Sequence, residues 1–438
     1  MNNIKFTYNS SLINDNEIKK FSATLKEEIK KTNDAINSNY SDDRSSINLL
    51  DDKKLRKEIK HMIDKKRILD LKYIVVLGIG GSNLGTTAVQ EAVLGKLYNQ
   101  HTSNIKILYT DTVDTDLITD TIKIIEPVLK NKENVLINCI SKSGTTTETI
   151  ANFEVFLNLL KKYKKDYQKY VVITTDKDSK LWNLAKSEGF DILQIPKKVG
   201  GRFSVFSPVG LFPLGLIGIN INKLIEGALK MRNNCLSFDI FKNPAALSAV
   251  ILYIHYKKGI NIHDTFLFST DFESVGKWYR QLMAESLGKK YDKQKQKIYN
   301  GMTPTVSIGS TDLHSMAQLY LGGPYDKFTT FVRVNEYKID VEIPDLPKYS
   351  NLVEHIEKIK MKKIMDAILQ GMQQAFINGN RPFVEISMPD KSEYFVGQLL
   401  QMKMMEIIYL GHLMNVNPFD QPNVEEYKIE TKKILSEK

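Results

Sequence analysis

The segment YIVVLGIGGSNLG (residues 73–85) decides the fold. It begins with five apolar residues, three of them β-branched, which is typical of a buried strand in a parallel sheet. The glycine cluster that follows predicts a tight turn, and the sequence from about Ser82 predicts a helix. A strand, a turn and a helix in this order predict a protein of the α/β class.

Two series of such units follow along the chain. The first continues with predicted strands at 105–110, 134–140, 170–175 and 190–196, and the second has strands at 265–270, 303–310, 328–334 and 382–388. Helical patterns separate the strands, including a long helix predicted from about Asn351 to Asn378. Runs of Ile and Val that alternate with helices indicate mainly parallel sheets covered on both faces.

These series divide the chain into five predicted parts. They are a helical N-terminal segment (1–70), a first α/β domain (71–220), a helical connector (221–260), a second α/β domain (261–415) and a C-terminal tail (416–438). In the N-terminal segment, apolar residues recur at helical spacing from Ile18 to Ile29, after a predicted helix cap at Asn14. Nothing resembles a flexible linker, so we expect the two domains to pack together.

Composition excludes several classes of protein. The 438 residues are 42% hydrophobic and 26% charged, which is the balance of a soluble globular protein. Two cysteines cannot form a disulfide framework, and the first residues lack the apolar run of a secretory signal, so a cytoplasmic location is predicted. The longest apolar stretch (208–219) is too short to span a membrane.

The net charge is +10, but it does not favour a nucleic-acid surface. Only eight of the 61 cationic residues are arginines, and the lysines are spread along most of the chain. Nucleic-acid surfaces concentrate their charge and use arginine for bidentate contacts. We interpret the charge as a lysine-rich solvated surface, which also helps to attract an anionic substrate.

The segment SKSGTTTET (141–149) follows a predicted strand and begins a helix. Five hydroxyl groups, together with Lys142, lie beside the positive end of the helix dipole; they belong to Ser141, Ser143, Thr145, Thr146 and Thr147. A helix cap in which Glu148 is the capping partner would need only one of these hydroxyls. The four remaining hydroxyl groups favour a phosphate-binding loop over a simple helix cap.

The glycine cluster after the first strand matches no nucleotide-binding pattern. Asn83 stands where the dinucleotide fingerprint needs its third glycine, and Gly85 is followed by two threonines where the Walker pattern needs Lys and then Ser or Thr. The turn could bind an anion or a sugar hydroxyl through its backbone N–H groups, or it could be purely structural. No nucleotide cofactor is predicted.

Three ionisable residues are candidates for a functional site. Arg202, at the start of a long apolar run, is expected to have a partner, either at a site or in a structural ion pair. Glu285 lies four residues after Gln281 on one predicted helix face, where it could be a general base or a plain surface residue. His314 follows a predicted strand, and a lone histidine is by default a capped or buried residue. The histidines show no metal-ligand spacing, so no metal site is predicted.

Six segments together resemble the glucose-6-phosphate isomerase family. In the family's order they are GIGGSNLG (78–85), SKSGTTTET (141–149), GGRFSVFSPVGLFPLGLIGI (200–219), AESLGK (284–289), STDLHSMAQ (310–318) and FDQPNVEEYK (419–428). The resemblance implies two sugar-isomerase (SIS) domains, each an α/β/α sandwich, in a homodimer whose active sites are shared between subunits. It also implies interconversion of glucose 6-phosphate and fructose 6-phosphate through ring opening and a cis-enediol(ate), in glycolysis and gluconeogenesis, without a cofactor.

The resemblance implies a role for individual residues as well. Glu285 matches the base that moves the proton between C1 and C2, and Arg202 matches the cation that stabilises the enediolate. His314, from the neighbouring subunit, and Lys428 match the residues that open the sugar ring. The matched phosphate loop is Ser141, Lys142, Ser143, Thr145 and Thr146, and the matched sugar contacts are Gly81, Ser82, Gly201, Gln281 and Gln421. Asn423 stands where the family usually has glycine, and asparagine tolerates a left-handed backbone better than most residues.

Other functions stay open at this point. An isomerase that also accepts mannose 6-phosphate would share the base and the loop. A non-catalytic sugar-phosphate sensor would need the loop but not the four implied catalytic residues, and we find no accompanying DNA-binding module. A nucleic-acid-binding protein is suggested by the charge alone.

Overall fold

The structure is a computed structural model that describes residues 3–101, 105–349 and 351–437. The strands of the described part are β1 (Lys5–Thr7), β2 (Leu71–Leu77), β3 (Lys106–Thr110), β4 (Asn134–Ile140), β5 (Val171–Asp176), β6 (Asp191–Ile195), β7 (Ile262–Phe268), β8 (Lys289–Tyr291), β9 (Lys297–Asn300), β10 (Thr303–Ile308), β11 (Lys327–Val334) and β12 (Phe383–Met388). The α-helices are α1 (Asp15–Asp34), α2 (Lys53–Arg67), α3 (Leu84–Leu94), α4 (Thr115–Lys130), α5 (Thr147–Tyr163), α6 (Lys180–Glu188), α7 (Pro208–Leu216), α8 (Ile221–Asn234), α9 (Pro244–Lys257), α10 (Glu273–Leu287), α11 (Ala317–Gly322), α12 (Met361–Asn378), α13 (Glu393–Leu413) and α14 (Val424–Ser436).

The first sheet is fully parallel and has the order β3-β2-β4-β5-β6. The chain leaves β2 toward β3 on one side and then returns to β4 on the other side, so the direction of winding reverses between β2 and β4. In an open α/β sheet, such a reversal leaves a crevice at the carboxyl ends of the two strands.

The second sheet repeats this plan. Its parallel strands have the order β12-β11-β7-β10, and the winding reverses between β7 and β11. The short strand β1 pairs antiparallel with β12 and closes the edge of this sheet. The predicted α/β class with mainly parallel sheets is therefore confirmed, whereas the domain boundaries stay predictions.

The structure differs from the sequence-based expectations in three places along the chain. Strand β1 lies in a region that was expected to be helical, and three residues are too few for an alternating pattern to reveal them. The helix expected from about Asn351 begins only at Met361, because residues 351–360 form turns and an isolated bridge between Glu342 and Lys360. The β8–β9 hairpin, rich in lysine, was not predicted.

Local signals in the N-terminal segment form the predicted helix. The Asn14 side chain accepts a hydrogen bond from the Glu17 N–H at 3.0 Å, and the Glu17 carboxylate accepts one from the Asn14 N–H at 3.3 Å. This reciprocal arrangement is a capping box and satisfies N–H groups that the first turn leaves unpaired. Ile18, Leu25 and Ile29 are buried on one face of α1. The cap predicted at Asn14 is confirmed.

One continuous apolar core joins the two sheets. Helix α10 packs against α3, and the almost wholly buried helix α13 packs against α8 and α9. The expectation that the two units pack together is confirmed. Among the described residues, no helix is long and apolar enough to cross a membrane.

Candidate active site

The two loops singled out in the sequence meet at the crevice of the first sheet. One loop follows β2 and leads into α3, and the other follows β4 and leads into α5. Strands β2 and β4 are hydrogen-bonded neighbours, with Leu77 opposite Cys139. Both loops therefore leave the sheet side by side, and the amino end of α5 faces the crevice between them.

The loop at 141–146 is held by its own hydroxyl groups. The Ser141 and Thr146 hydroxyls are 2.9 Å apart and hydrogen-bonded, and the Gly144 N–H donates to the Ser141 hydroxyl at 3.1 Å. Thr146 is the N-cap residue of α5, but its side chain makes no capping hydrogen bond. The simple helix cap considered above is therefore not present. In the part of the chain that the structure describes, no side chain accepts a hydrogen bond from the first-turn N–H groups of α5, which suits these groups to bind an anion.

Lys142 supplies the positive charge of this loop. Burial lowers the pKa of its ammonium group, the Asp176 carboxylate counteracts this, and the positive charge of Arg202 lowers the pKa further. The Asp176 N–H donates to the Lys142 carbonyl at 3.2 Å, which ties the end of β5 to the loop. The Lys142 ammonium group is half-buried and has no hydrogen-bond or ion-pair partner among the described residues, so it suits a phosphate ligand.

Asp176 has an unusual carboxyl group. Its Oδ1 atom is buried without a hydrogen-bond partner among the described residues. Burial raises the pKa of Asp176 from 3.8 to about 6, although Lys142 and Lys197 act in the opposite direction. The carboxyl group of Asp176 therefore binds its proton more tightly in the folded chain than in the unfolded chain. The stability that the protonated group contributes is fully present below pH 3.8 and is lost as the pH rises through about 6.

The glycine turn after β2 makes close backbone contact with the turn before Arg202. A Cβ atom on Gly81 would lie 2.1 Å from the Gly201 carbonyl carbon and 2.5 Å from the Arg202 nitrogen. Gly80 has φ +59°, and a Cβ atom there would lie 2.9 Å from the Gln281 side-chain nitrogen. The Ser204 hydroxyl also hydrogen-bonds to the Gly81 and Gly201 carbonyl groups. The glycines thus bring the turn, Arg202 and Gln281 to one place.

Arg202 is 2% exposed and all five of its N–H donors have acceptors. Nε donates to the Ser286 hydroxyl at 2.8 Å, and Nη1 donates to Glu285 Oε2 at 3.2 Å and to Gln421 Oε1 at 2.7 Å. Nη2 donates to the carbonyl groups of Pro418 and Asp420 at 2.6 and 3.0 Å. Burial lowers the pKa of Arg202, and the negative charges of Glu285 and Asp420 partly offset this. The expectation that this arginine has a partner is confirmed.

The Glu285 carboxylate is held from both sides. Its Oε1 atom accepts a hydrogen bond from Gln281 Nε2 at 3.0 Å, and its Oε2 atom accepts one from Arg202. Gln281 and Glu285 both lie in α10 and are four positions apart, so one helix face presents the amide and the carboxylate together. The Gln281 Oε1 atom is buried and has no partner among the residues described. The site therefore combines a fixed carboxylate, a cation and an unused acceptor.

The segment 418–421 closes this site from the C-terminal side, and a buried lysine holds it there. Lys289 donates to the carbonyl groups of Glu285 and Asp420, and it forms an ion pair with the Asp420 carboxylate at 3.1 Å. Sequence reasoning did not select Lys289, although it ends the AESLGK segment. No local pattern distinguishes it from the many exposed lysines of this chain.

Two expected site residues lie away from this cluster. His314 is exposed in a 3-10 turn, and its side chain makes no hydrogen bond or ion pair with any residue that the structure describes. Lys428 lies in α14 and pairs with Glu425 of the same helix at 2.7 Å. Asn423 has φ −69°, so this position does not require the left-handed backbone that glycine would favour. Within the described residues of one chain, no hydrogen bond or ion pair joins the His314 or the Lys428 side chain to the site.

Comparison with known proteins identifies the family. The family model for phosphoglucose isomerase matches residues 32–438. This chain belongs to the phosphoglucose isomerase family. The glucose-6-phosphate isomerase of Carboxydothermus hydrogenoformans is 35% identical over 371 residues, which cover 83% of this chain and 79% of that protein. The probable glucose-6-phosphate isomerase of Methanococcus maripaludis is 37% identical over 352 residues, which cover 80% and 76%.

A solved structure gives the same answer for the fold. The crystal structure of a glucose-6-phosphate isomerase from Chlamydia trachomatis aligns with a TM-score of 0.84 over 99% of this chain and 88% of that chain, at 19% identity. The family model and the two relatives confirm the family and the isomerase activity expected from the sequence, and the solved structure confirms the expected fold. The roles of the individual site residues stay predictions.

Proposed function

We propose that this phosphoglucose isomerase family member interconverts glucose 6-phosphate and fructose 6-phosphate through ring opening and a cis-enediol(ate), in glycolysis and gluconeogenesis. The proton on C2 of an aldose is very weakly acidic, so its removal needs a positioned carboxylate and a cation where negative charge develops. Glu285 and Arg202 supply this pair, because their side chains are 3.2 Å apart. This juxtaposition is the observation that supports the proposal.

The same carboxylate can serve both carbons. A cis-enediol keeps C1 and C2 on one face, so Glu285 removes the proton from one carbon and returns it to the other. Arg202 has no free N–H donor in this structure, and its Nη1 atom is shared between Glu285 and Gln421. A substrate oxygen that becomes negative therefore takes the place of one of the present acceptors of Arg202. The guanidinium group then stabilises the enediolate without a change in its own position.

The phosphate group is remote from the reacting carbons and serves to hold the substrate. We assign it to the loop at 141–146, where the hydroxyls, Lys142 and the N–H groups of α5 converge. The sugar lies between Gly81, Ser82 and Gly201 on one side and Gln281 and Gln421 on the other, as the matched positions imply. Binding energy from the remote phosphate then contributes to orienting C1 and C2 at Glu285.

Ring opening requires a further acid and base, for which His314 and Lys428 are the candidates. In one chain, the His314 side chain is exposed and has no partner among the described residues. We propose that a second copy of the chain brings His314 into this site, so that the active form is a cytoplasmic homodimer with shared sites. Lys428 would reach the site once its contact with Glu425 is exchanged for the substrate.

The paired carboxylate and cation favour an isomerase over a sugar-phosphate sensor, which would need the phosphate loop alone. The test is a coupled assay that follows glucose 6-phosphate formation from fructose 6-phosphate, with mannose 6-phosphate as a second product. Glu285→Gln should lower kcat by roughly 10²–10⁴-fold and leave KM nearly unchanged. Glu273→Gln is the matched control, because Glu273 lies at the other end of α10 and its side chain is equally exposed at 31%.

Each outcome of this assay has a definite meaning. A Glu285→Gln enzyme with most of its turnover would contradict the assignment of the base. A wild-type protein that binds fructose 6-phosphate without turnover would support the sensor instead. Turnover of mannose 6-phosphate at a comparable kcat/KM would assign the broader isomerase.

A further inference from the structure

Lys289 is buried at the point where α10 ends and the C-terminal segment returns to the site. It is 5% exposed and is the first residue of β8. Its ammonium group has three N–H donors, and three oxygens surround it: the Glu285 carbonyl at 2.9 Å, the Asp420 carbonyl, and the Asp420 carboxylate at 3.1 Å. The hydrogen-bonding capacity of this group is therefore fully used between two segments.

One of these contacts is to the backbone of the proposed base. Glu285 lies in the last turn of α10, where helix carbonyl groups lack an intrahelical partner. Lys289 supplies the missing donor, and a cation at this end also interacts favourably with the helix dipole. Because the direction of the Glu285 side chain depends on its backbone, this contact helps to define where the carboxylate lies.

The other contacts hold the segment that contains Gln421. Arg202 donates to the Asp420 carbonyl from one side and Lys289 donates to it from the other. Beyond this point the chain has little attachment of its own, since α14 has no buried residue. The position of the Gln421 amide next to Arg202 thus depends on two cations, one from each α/β unit.

We propose that Lys289 is a positioning residue that holds the Glu285 carboxylate and the Gln421 amide in fixed positions relative to each other. This inference rests on the proposed roles of Glu285 and Arg202. Lys289 does not contact the reacting atoms in this scheme. It lowers the free energy needed to assemble the site, because the carboxylate and the amide are already in place before the substrate binds.

The test compares two neighbouring lysines. Lys289→Met keeps the length of the side chain and removes the three donors, and Lys290→Met is the control, since Lys290 is half-buried and its ammonium group lies 5.7 Å from the centre of the Tyr291 ring. For Lys289→Met we expect kcat to fall by roughly 10–100-fold with a change in KM below about threefold, because a displacement of about 1 Å at the base costs on the order of 10²-fold. Lys289→Arg should recover part of kcat, and Lys290→Met should behave as the wild type.

A second variant keeps the test decisive if Lys289→Met does not fold. The Asp420 side chain is 51% exposed, so Asp420→Ala removes one acceptor of Lys289 without leaving a cavity. We expect a smaller loss of kcat in Asp420→Ala. In a folded double variant, we expect no further loss beyond that of Lys289→Met, since both changes break the same connection.

Three results would overturn the proposal. They are a folded Lys289→Met enzyme with kcat within twofold of the wild type, a loss that appears in KM alone, and losses in Lys289→Met and Asp420→Ala that multiply. Failure of the proposed function has a different signature, which is an active Glu285→Gln enzyme. An inactive Glu285→Gln enzyme beside a fully active Lys289→Met enzyme would reject the role of Lys289 and retain the isomerase mechanism.

Discussion

Gly81→Ala should lower the free energy of unfolding and displace Arg202, whereas the same change at the facing residue, Gly201, should leave the free energy of unfolding near that of the wild type. The Cβ atom of an alanine at 81 would lie 2.1 Å from the Gly201 carbonyl carbon, 2.4 Å from its oxygen and 2.5 Å from the Arg202 nitrogen. All three are backbone atoms, so no side-chain rotation relieves the overlap. The two turns must move apart instead.

The size of the movement follows from these distances. Ordinary contacts of a Cβ atom begin at about 3.4 Å, so a separation of 2.1 Å requires a displacement of about 1.3 Å. Overpacking of this kind costs roughly 1–3 kcal/mol of stability. Because Arg202 is attached to the displaced turn, its guanidinium group moves relative to Glu285, and a misplacement of about 1 Å costs on the order of 10²-fold in kcat.

Two controls isolate the effect. A Cβ atom on Gly201 would have its nearest neighbour, the Gly81 Cα atom, at 3.6 Å, which is an ordinary contact. A Cβ atom on Gly371, in the middle of α12, would meet nothing within 4 Å. Denaturant unfolding and the coupled isomerase assay should therefore show a loss in Gly81→Ala, near-wild-type stability in Gly201→Ala, and unchanged activity in Gly371→Ala. Equal stability losses at Gly81 and Gly201 would refute the reasoning from close approach.

Three further outcomes are expected. Ser143→Ala combined with Thr146→Ala should raise KM for fructose 6-phosphate more than it lowers kcat, and an unchanged KM would place the phosphate elsewhere. A mixture of Glu285→Gln and His314→Ala chains should regain about a quarter of wild-type activity after subunit exchange, because half of the dimers are mixed and each has one intact site; no recovery after verified exchange would reject shared sites. Asp176→Asn should raise the free energy of unfolding at pH 7, where the buried carboxylate is ionised, and this gain should vanish below about pH 4; a gain that persists there would exclude ionisation as its cause.

Much of the fold follows from local patterns in the sequence. Apolar β-branched runs such as 73–77 predicted strands that the structure contains, and the capping signal at Asn14 correctly marked the start of α1. The sequence signals failed where an element is short or pairs with a distant part of the chain. Strand β1 has three residues, and its pairing with β12 joins positions more than 370 residues apart, so no window of sequence contains both partners.

The site residues likewise divide into those that the sequence predicted and those that it did not. Glu285 and Gln281 were expected on one face of a helix, because four residues make about one turn, and their side chains are hydrogen-bonded there. Lys289 was missed, since a buried lysine and an exposed lysine look alike until its acceptors are known. Those acceptors include Asp420, which is 131 residues further along the chain.

The sequence by itself determined most of the helices and strands, the loops that follow β2 and β4, and the family to which the chain belongs. Each of these depends on residues that are close together in the chain, where helical and strand periodicity or a continuous motif is readable. The tertiary structure decided which of the candidate residues meet. Strand order places the two loops at one crevice, the approach of Gly81 to Gly201 positions Arg202, and the returning C-terminal segment supplies Gln421. These are contacts between distant segments, and their energies depend on packing and burial that arise only when the whole chain is folded.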